Sequence, residues 1–274
     1  SGLVAAAELA KKGHEVTVYE TLHEPGGVLI YGIPEFRLPK DIVRYEIEQI
    51  AKLGVKIELN RKIEDVEEHM KLYGFNAAFI GTGAGTPKYL VDSNREMVSG
   101  QDLVGVYSAN EFLTRTNLMK GYLFPQSDTP PPNVLDKKVV VFGGGNVAMD
   151  AARCALRLGA DEVNVMYRRS ADEIPAREEE YHAAMKEGIN FHYLASPLEL
   201  KGKNGKLDNI VYQKNKLGDP DESGRRRPVP IEGGIDKIDA DAAVVAIGQE
   251  PNSIMDMTRF DTKWGRIVTD KNSM

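Results

Sequence analysis

Short runs of consecutive apolar residues alternate with amphipathic stretches along this chain, and glycine stands at most of the junctions. The clearest instance is Val139-Val140-Val141-Phe142, a continuous apolar run of the kind found in strands buried on both faces. It enters Gly143-Gly144-Gly145-Asn146-Val147-Ala148 directly, and apolar residues then recur at helical spacing at Met149, Ala152 and Leu156. Gly159 ends that helix and Val163 to Tyr167 supplies a second strand, so the unit reads strand, glycine turn, helix, strand. The turn has the form G-x-G-x-x-A. Gly143 permits a tight turn, Gly145 lets backbone approach a pyrophosphate, and Ala148 lets helix and strand pack closely. The helix N-terminus then faces the phosphates, which makes this a dinucleotide site. At the end of the second strand, where an NAD site carries Asp or Glu, stands Tyr167-Arg168-Arg169-Ser170. Two guanidiniums and a hydroxyl suit a 2′-phosphate, so the expected dinucleotide is NADP(H).

The rest of the chain repeats the same alternation. Ser1 to Gly13 reads as a helix closed by glycine, and Val16 to Glu20 as a strand, together the second half of such a unit. Gly2 takes the place of the third fingerprint glycine and Glu20 that of a ribose-binding carboxylate. Pro25 to Pro34, with Gly26 and Gly27, reads as an irregular loop allowing close backbone approach. A helix from Asp41 (Ile42, Val43, Ile47, Ile50, Leu53) to Gly54 precedes the strand Val55–Leu59. After a charged helical stretch, Ala77 to Ile80 reads as a buried strand entering Gly81-Thr82-Gly83-Ala84-Gly85. Ser108 is a candidate N-cap for a helix over 110–119, and Pro125 to Pro132 a linker. Beyond the central unit come a helix from Pro175 to Gly188, a strand at 190–194, and turn-rich hairpins over 196–238. The run Arg225-Arg226-Arg227 reads as a solvated loop tip. Ala242 to Ile247 is a last apolar strand, ending in Gly248-Gln249.

Gly13, Gly54, Gly159 and Gly188 occupy the same helix–glycine–strand position, and each half holds an Ala-Ala-apolar strand ending in glycine. The expected fold is therefore α/β, with two tandem Rossmann-like dinucleotide-binding domains, the second inserted in the first. The outer domain takes residues 1–127 and 241–274 and lacks parts at both ends; the inner one takes 133–240.

Composition narrows the functional classes. A net charge of −6 argues against a nucleic-acid or anionic-membrane surface, and no apolar run has transmembrane length. Cys154 is the single cysteine, so no internal disulfide, CxxC redox pair or iron–sulfur ligand set is available, and a disulfide-reductase mechanism is set aside. The five histidines are dispersed without metal-ligand spacing. A reducing cytoplasm fits this usage.

Several motifs together resemble the flavoprotein small (β) subunit family of glutamate synthase. They are Tyr31-Gly32-Ile33-Pro34 with Arg37-Leu38-Pro39, Gly81 to Lys88, Tyr107 to Leu113, Gly143 to Arg153, Tyr167 to Ser170, Ile174 to Glu179, Gly224 to Gly233 and Ala246 to Gln249. Relatives include the NADPH-linked subunit of ferredoxin-dependent transhydrogenase and the flavin–NADPH portion of dihydropyrimidine dehydrogenase. The resemblance implies that Gly2, Glu20, Gly26, Gly27, Gly81, Thr82 and Gly83 serve FAD. Gly143, Gly145, Asn146, Val147, Ala148, Arg168 and Arg169 would serve NADPH, with Gly248 and Gln249 near the nicotinamide. It further implies hydride transfer from nicotinamide C4 to flavin N5, with no side chain as acid or base, and onward electron transfer to an iron–sulfur or larger catalytic partner subunit. A nucleotide-binding piece without electron transfer is the competing expectation. The chain departs from the family pattern in four ways: it has no cysteine-rich region, no strand before Gly2, no Ile-Pro-Gly-Glu within 91–101, and no Gly-Asp motif after the segment Trp264 to Val268.

Overall fold

The computed structural model describes residues 1–222, 224–251, 262–263 and 266–268. Trp264 and Gly265 of the resembling segment lie outside them. The chain forms two compact units, one of Ser1–Ile30, Glu35–Thr86 and Gln249–Met274, the other of Tyr31–Pro34 and Pro87–Gly248.

The first unit contains α1 (Gly2–Lys11), β1 (Thr17–Tyr19), α2 (Val28–Tyr31), α3 (Lys40–Lys52), β2 (Lys56–Glu58), α4 (Val66–Tyr73) and β3 (Ala84–Pro87). β1 and β2 pair in parallel, Val18 opposite Ile57. α3 turns Val43 and Ile47 inward and leaves Ile42 and Leu53 exposed, so the expected apolar stripe is narrower than its sequence pattern. Asp65 caps α4 by accepting from the Glu68 amide at 2.9 Å, and Gly74 closes it in the left-handed conformation. Two expectations fail here. The loop at 25–34 holds the short helix α2, with Ile30 buried. Ala77 to Ile80 forms no strand, and Ala77, Ala78 and Phe79 are exposed. An apolar run becomes a buried strand only where a neighbouring strand satisfies its amides and carbonyls, and no described strand pairs with it.

The second unit continues with β4 (Val106–Ser108), α5 (Ala109–Leu113), β5 (Lys138–Phe142), α6 (Asn146–Arg157), β6 (Glu162–Tyr167), α7 (Glu178–Lys186), β7 (Asn190–Tyr193), β8 (Ala195–Lys203), β9 (Lys206–Pro220), β10 (Arg226–Asp239) and β11 (Ala242–Val245). β12 (Gln249–Pro251) then pairs with β3. Ser108 caps α5 as expected, accepting from Glu111, but a π-helical turn over Thr114–Leu118 replaces its second half. The strands assemble a parallel sheet ordered β4-β11-β5-β6-β7, while β8, β9 and β10 form a separate antiparallel meander. β4 and β11 were expected with the outer domain. Instead β11 hydrogen-bonds to β4 on one edge and β5 on the other, so residues 106–108 and 242–245 belong to this sheet.

The period-2 alternation of strands sorts the core into two layers. Val139, Val141, Val163, Val165 and Val244 pack against Ala148, Met149, Ala151, Ala152 and Ala155 of α6. Val140, Phe142, Met166, Ala243 and Val245 face the other way, onto Leu200, Leu207 and Ile210 of the meander. Both faces are covered, which is why these strands read as unbroken apolar runs. The alanines of α6 allow close approach to the sheet, and each fully buried valine contributes about 1.5–3 kcal/mol. Among the described residues no helix is long and apolar enough to cross a membrane, and no cluster of His, Cys, Asp and Glu could hold a metal.

Candidate functional site

The turn between β5 and α6 contains three consecutive glycines with three different environments. Gly143 has φ +130°, and a Cβ there would stand 2.3 Å from the Ala246 carbonyl oxygen, at the end of β11. Gly144 lies under the Tyr167 ring, whose Cδ2 would be 2.7 Å from an added Cβ. Both are therefore fixed by the protein's own packing. Gly145 has φ −87° and ψ 176°, which any residue adopts, and a Cβ there would meet nothing within 4 Å. Its lack of a side chain leaves open space at the start of α6. The Gly145 carbonyl accepts from Ala148 and Met149, while helix geometry leaves the amides of Asn146 and Val147 without intrahelical acceptors. Ala148 is fully buried against the turn and Val147 is exposed beside it.

A second segment closes on this turn. The Ala176 amide donates to the Gly144 carbonyl at 3.1 Å, and the Arg177 amide donates to Asn146 Oδ1 at 2.9 Å. Asn146 thus positions the segment before α7, and the exposed Arg177 is held next to the α6 N-terminus. Sequence reading assigned no role to Gly144 or Arg177. The aromatic Tyr167 at the end of the second strand was the available signal for the first.

The two arginines after β6 part company. Arg168 is exposed, and partial burial of its guanidinium, followed by the neighbouring charges of Arg169 and Arg225, lowers its pKa. Arg169 is buried and its Nη2 is ion-paired with Asp221, with Nε left without a partner. Ser170 hydrogen-bonds Glu173, whose carboxylate also accepts from Arg226 Nε at 2.5 Å. The Tyr167 hydroxyl donates to the Glu173 carbonyl at 2.6 Å. The Arg225 to Arg227 run is therefore only partly a solvated tip: Arg226 is tied to Glu173 and Arg225 is half-buried, while Arg227 is exposed.

In the first unit the structure brings together the beginning of α1 and the Gly81-Thr82-Gly83 turn. A Cβ at Gly81 would stand 3.2 Å from the Gly2 amide nitrogen. Gly2, Gly27 and Gly83 have open space where side chains would be, whereas Gly26 abuts Ile30, where a Cβ would come within 2.7 Å. Glu20 follows β1 and accepts the Leu22 amide at 2.9 Å on one carboxylate oxygen. Lys40 is buried and donates to the carbonyls of Leu29 and Leu38, fixing the loop after Gly27. In the second unit the Gly248 carbonyl, at a residue with φ +106° and open space beside it, accepts from the Lys88 amide, while Gln249 starts β12 of the first unit.

α6 and α7 are joined by charge. Arg153 donates to Glu180 at 2.8 Å and to Glu187 at 2.8 and 3.0 Å, and Arg157 also pairs with Glu187. Hydrogen bonds from Arg157 foremost, with Arg153, hold the Glu187 carboxyl down to about 2 against the opposing effect of burial. Cys154 lies buried on the same helix, and burial pushes its thiol up to about 12.

With this geometry in hand, comparison with known proteins places the chain. It is 42% identical over 252 residues to a protein named NADP(+)-dependent formate dehydrogenase subunit beta from Moorella thermoacetica, covering 91% of this chain and 33% of that one. It is 32% identical to the glutamate synthase [NADPH] small chain of Escherichia coli, covering all of this chain and 58% of the relative. The chain therefore spans about a third to just over half of these relatives. Among solved structures, FprA of Mycobacterium tuberculosis in complex with NADPH superposes with a TM-score of 0.69 at 20% identity, covering 91% of this chain and 68% of that one, which establishes a shared fold. The family model for pyridine nucleotide-disulphide oxidoreductases matches residues 1–274, and the chain belongs to that family.

Proposed function

We propose that the chain is the nucleotide-binding portion of an NADPH-dependent flavoprotein oxidoreductase subunit of the glutamate synthase small-subunit type, built on two tandem Rossmann-like domains. The observation that carries this reading is the contrast among the three glycines: Gly143 and Gly144 are required by packing, while Gly145 is explained by nothing in the protein. Its open surface and the amides of Asn146 and Val147 fit a pyrophosphate. Arg168 supplies a cation for the 2′-phosphate, and Arg177 a second one at the helix terminus. Gly2, Gly27, Gly83 and Glu20 fit the corresponding groups of FAD, with Gly26 shaping the loop and Gly81 and Thr82 the turn. Gly248 and Gln249 serve the nicotinamide end. Bound together, the two cofactors would exchange a hydride between nicotinamide C4 and flavin N5. The chain's own contribution is to bind, orient and desolvate them, and no side chain is assigned a proton. Electrons would then pass to an iron–sulfur or larger catalytic partner subunit, that of glutamate synthase or of a ferredoxin-linked transhydrogenase.

One observation favours a second reading for the chain by itself. Among the described residues, the absence of a strand at Ala77 to Ile80 leaves β1 and β2 as the parallel pair on the flavin side. A chain that binds NADPH without retaining flavin would behave accordingly. An anaerobic absorbance spectrum of the purified chain with FAD, taken before and after adding NADPH or NADH, tests both. A bound-flavin spectrum that bleaches with NADPH and poorly with NADH supports the oxidoreductase. NADPH binding without flavin retention supports the second reading, and failure to bind either nucleotide refutes both.

A further inference from the structure

α3 carries two basic side chains, one turn apart, on the face that its apolar residues turn inward. Lys40, Val43, Arg44 and Ile47 recur at helical spacing, with Lys40, Val43 and Ile47 buried and Arg44 half-buried. Against this face lies the loop that contains Gly26 and Gly27 and runs on to the start of α3. The apolar pair forms its floor: a Cβ at Gly26 would stand 3.4 Å from both Val43 Cγ1 and Ile47 Cδ1, and 2.7 Å from Ile30 Cγ1. The basic pair holds its two arms. Before the glycines, the Glu24 carboxylate accepts from Arg44 Nη2 on both oxygens, at 3.1 and 3.3 Å. After them, Lys40 Nζ donates to the Leu29 carbonyl at 2.8 Å and to the Leu38 carbonyl at 3.2 Å. The Lys40 amide also donates to the Glu35 carboxylate at 3.2 Å. All of these residues belong to the first unit.

Leu29 lies in α2, whose four residues form a single turn. One turn does not sustain itself, because nucleation fixes more dihedral angles than its first hydrogen bond offsets. Its last carbonyls have no intrahelical donors, and an ammonium at that end satisfies one of them and complements the helix dipole. Taking an ammonium out of water is costly, and here the carbonyls of the loop replace its hydration. What this hold fixes is Gly27. That residue, at φ +56° with open space where a side chain would be, accepts from the Ile30 amide at 2.9 Å in the turn that Lys40 pins. Groups that meet a ligand gain precision when the residues behind them are locked by packing and hydrogen bonds.

We infer that Lys40 and Arg44 are positioning residues for FAD, holding the two arms of the Gly26-Gly27 loop so that Gly27 meets the cofactor in one fixed shape. This rests on the flavin reading above and deepens it by adding the α3 face behind the loop. The test uses the full chain, with FAD titrated by quenching of flavin fluorescence and 2′,5′-ADP titrated by calorimetry to probe the other nucleotide site. Lys40→Met, which keeps the length and removes the charge, should weaken FAD by roughly 10–100-fold, as expected when two carbonyls lose their donor. It should also change the visible circular dichroism of the flavin at saturating FAD, because the cofactor then meets a displaced loop. Lys40→Arg should recover most of the affinity. Arg44→Gln should weaken FAD by roughly 3–10-fold and leave Tm within about 1 °C. The affinity for 2′,5′-ADP should stay within about twofold throughout. Val55→Ala, which removes buried apolar contacts elsewhere in the same unit, should lower Tm without changing the flavin spectrum.

FAD affinity within about twofold of the original in both Lys40→Met and Arg44→Gln would overturn the inference. So would an unaltered flavin spectrum in Lys40→Met, or an FAD loss in Val55→Ala equal to that in Lys40→Met, since either would reduce Lys40 to general stability. Should Lys40→Met fail to fold, Arg44→Gln carries the test, and unchanged FAD affinity there overturns the inference. If the unsubstituted chain binds 2′,5′-ADP but no FAD, the flavin reading itself fails and both roles fall with it.

Discussion

Gly145→Ala separates fold from ligand more cleanly than any other single change in this chain. At φ −87° and ψ 176° alanine is unstrained, and its methyl group meets no protein atom within 4 Å. Removing a glycine's freedom in the unfolded chain should stabilise the protein by about 0.4–1 kcal/mol, a rise of roughly 1–3 °C in Tm. The same methyl would occupy the open space next to the Asn146 and Val147 amides, where the pyrophosphate is proposed to lie. Keeping a pyrophosphate from two such donors should cost about 3 kcal/mol, or ~100-fold in Kd for NADPH. Gly143→Ala is the opposite case. A Cβ 2.3 Å from the Ala246 carbonyl oxygen, at φ +130°, forces β11 and the turn apart and should cost about 2–5 kcal/mol of stability. Thermal unfolding followed by circular dichroism and NADPH titration by fluorescence measure both quantities on each variant. A Gly145→Ala protein that melts like the original and binds NADPH within about twofold of it would refute the placement of the pyrophosphate.

Three further outcomes follow from the same structure. The folded-state carboxyl of Glu187 is depressed from 4.5 to about 2, so its stabilisation is complete above the unfolded value and is lost as pH falls from about 4.5 to about 2. Glu187→Gln should therefore lower stability near neutral pH by about 2–3 kcal/mol and flatten the acid limb of the denaturation profile over that window, and an unchanged acid limb would contradict the assignment. Cys154, buried and held up to about 12, should not react with a thiol reagent until the chain unfolds, and rapid stoichiometric labelling of the folded protein would show the helix packing to be wrong. Arg169→Ala should destabilise the fold by about 3–5 kcal/mol, because Asp221 loses its buried partner, whereas Arg168→Ala should leave Tm within about 1 °C and reduce NADPH preference; equal Tm losses would merge the two roles.

The central unit was legible because its determinants are local. The Val139 to Phe142 run, the glycine turn and the alanines of α6 are neighbours in sequence, and each demands its partner within a few residues. The edges were not legible for the converse reason. Val106–Ser108 and Ala242–Val245 are short apolar strands over a hundred residues apart that meet side by side, and nothing in either indicates which sheet it joins. Hydrophobicity misled at Ala77 to Ile80, where the run has the composition of a strand and no described neighbour to pair with. Gly144 was invisible for another reason: its constraint is the ring of Tyr167, contributed by the next strand rather than by the fingerprint.

The arginine pair shows why residue type at a motif position is only half of a site. Adjacent residues leaving a strand project to different sides, and here Arg168 is exposed while Arg169 is buried. Sequence reading treated them as equivalent donors. Their environments differ because β9 is fifteen residues long and β8 nine, so the hairpin overshoots and brings Asp221 to Arg169. The buried guanidinium of Arg169 holds that hairpin through Asp221, while Arg168 beside it is exposed. The difference between the two arginines thus follows from the length difference between two strands of the meander, a quantity that no short motif around the glycine turn encodes.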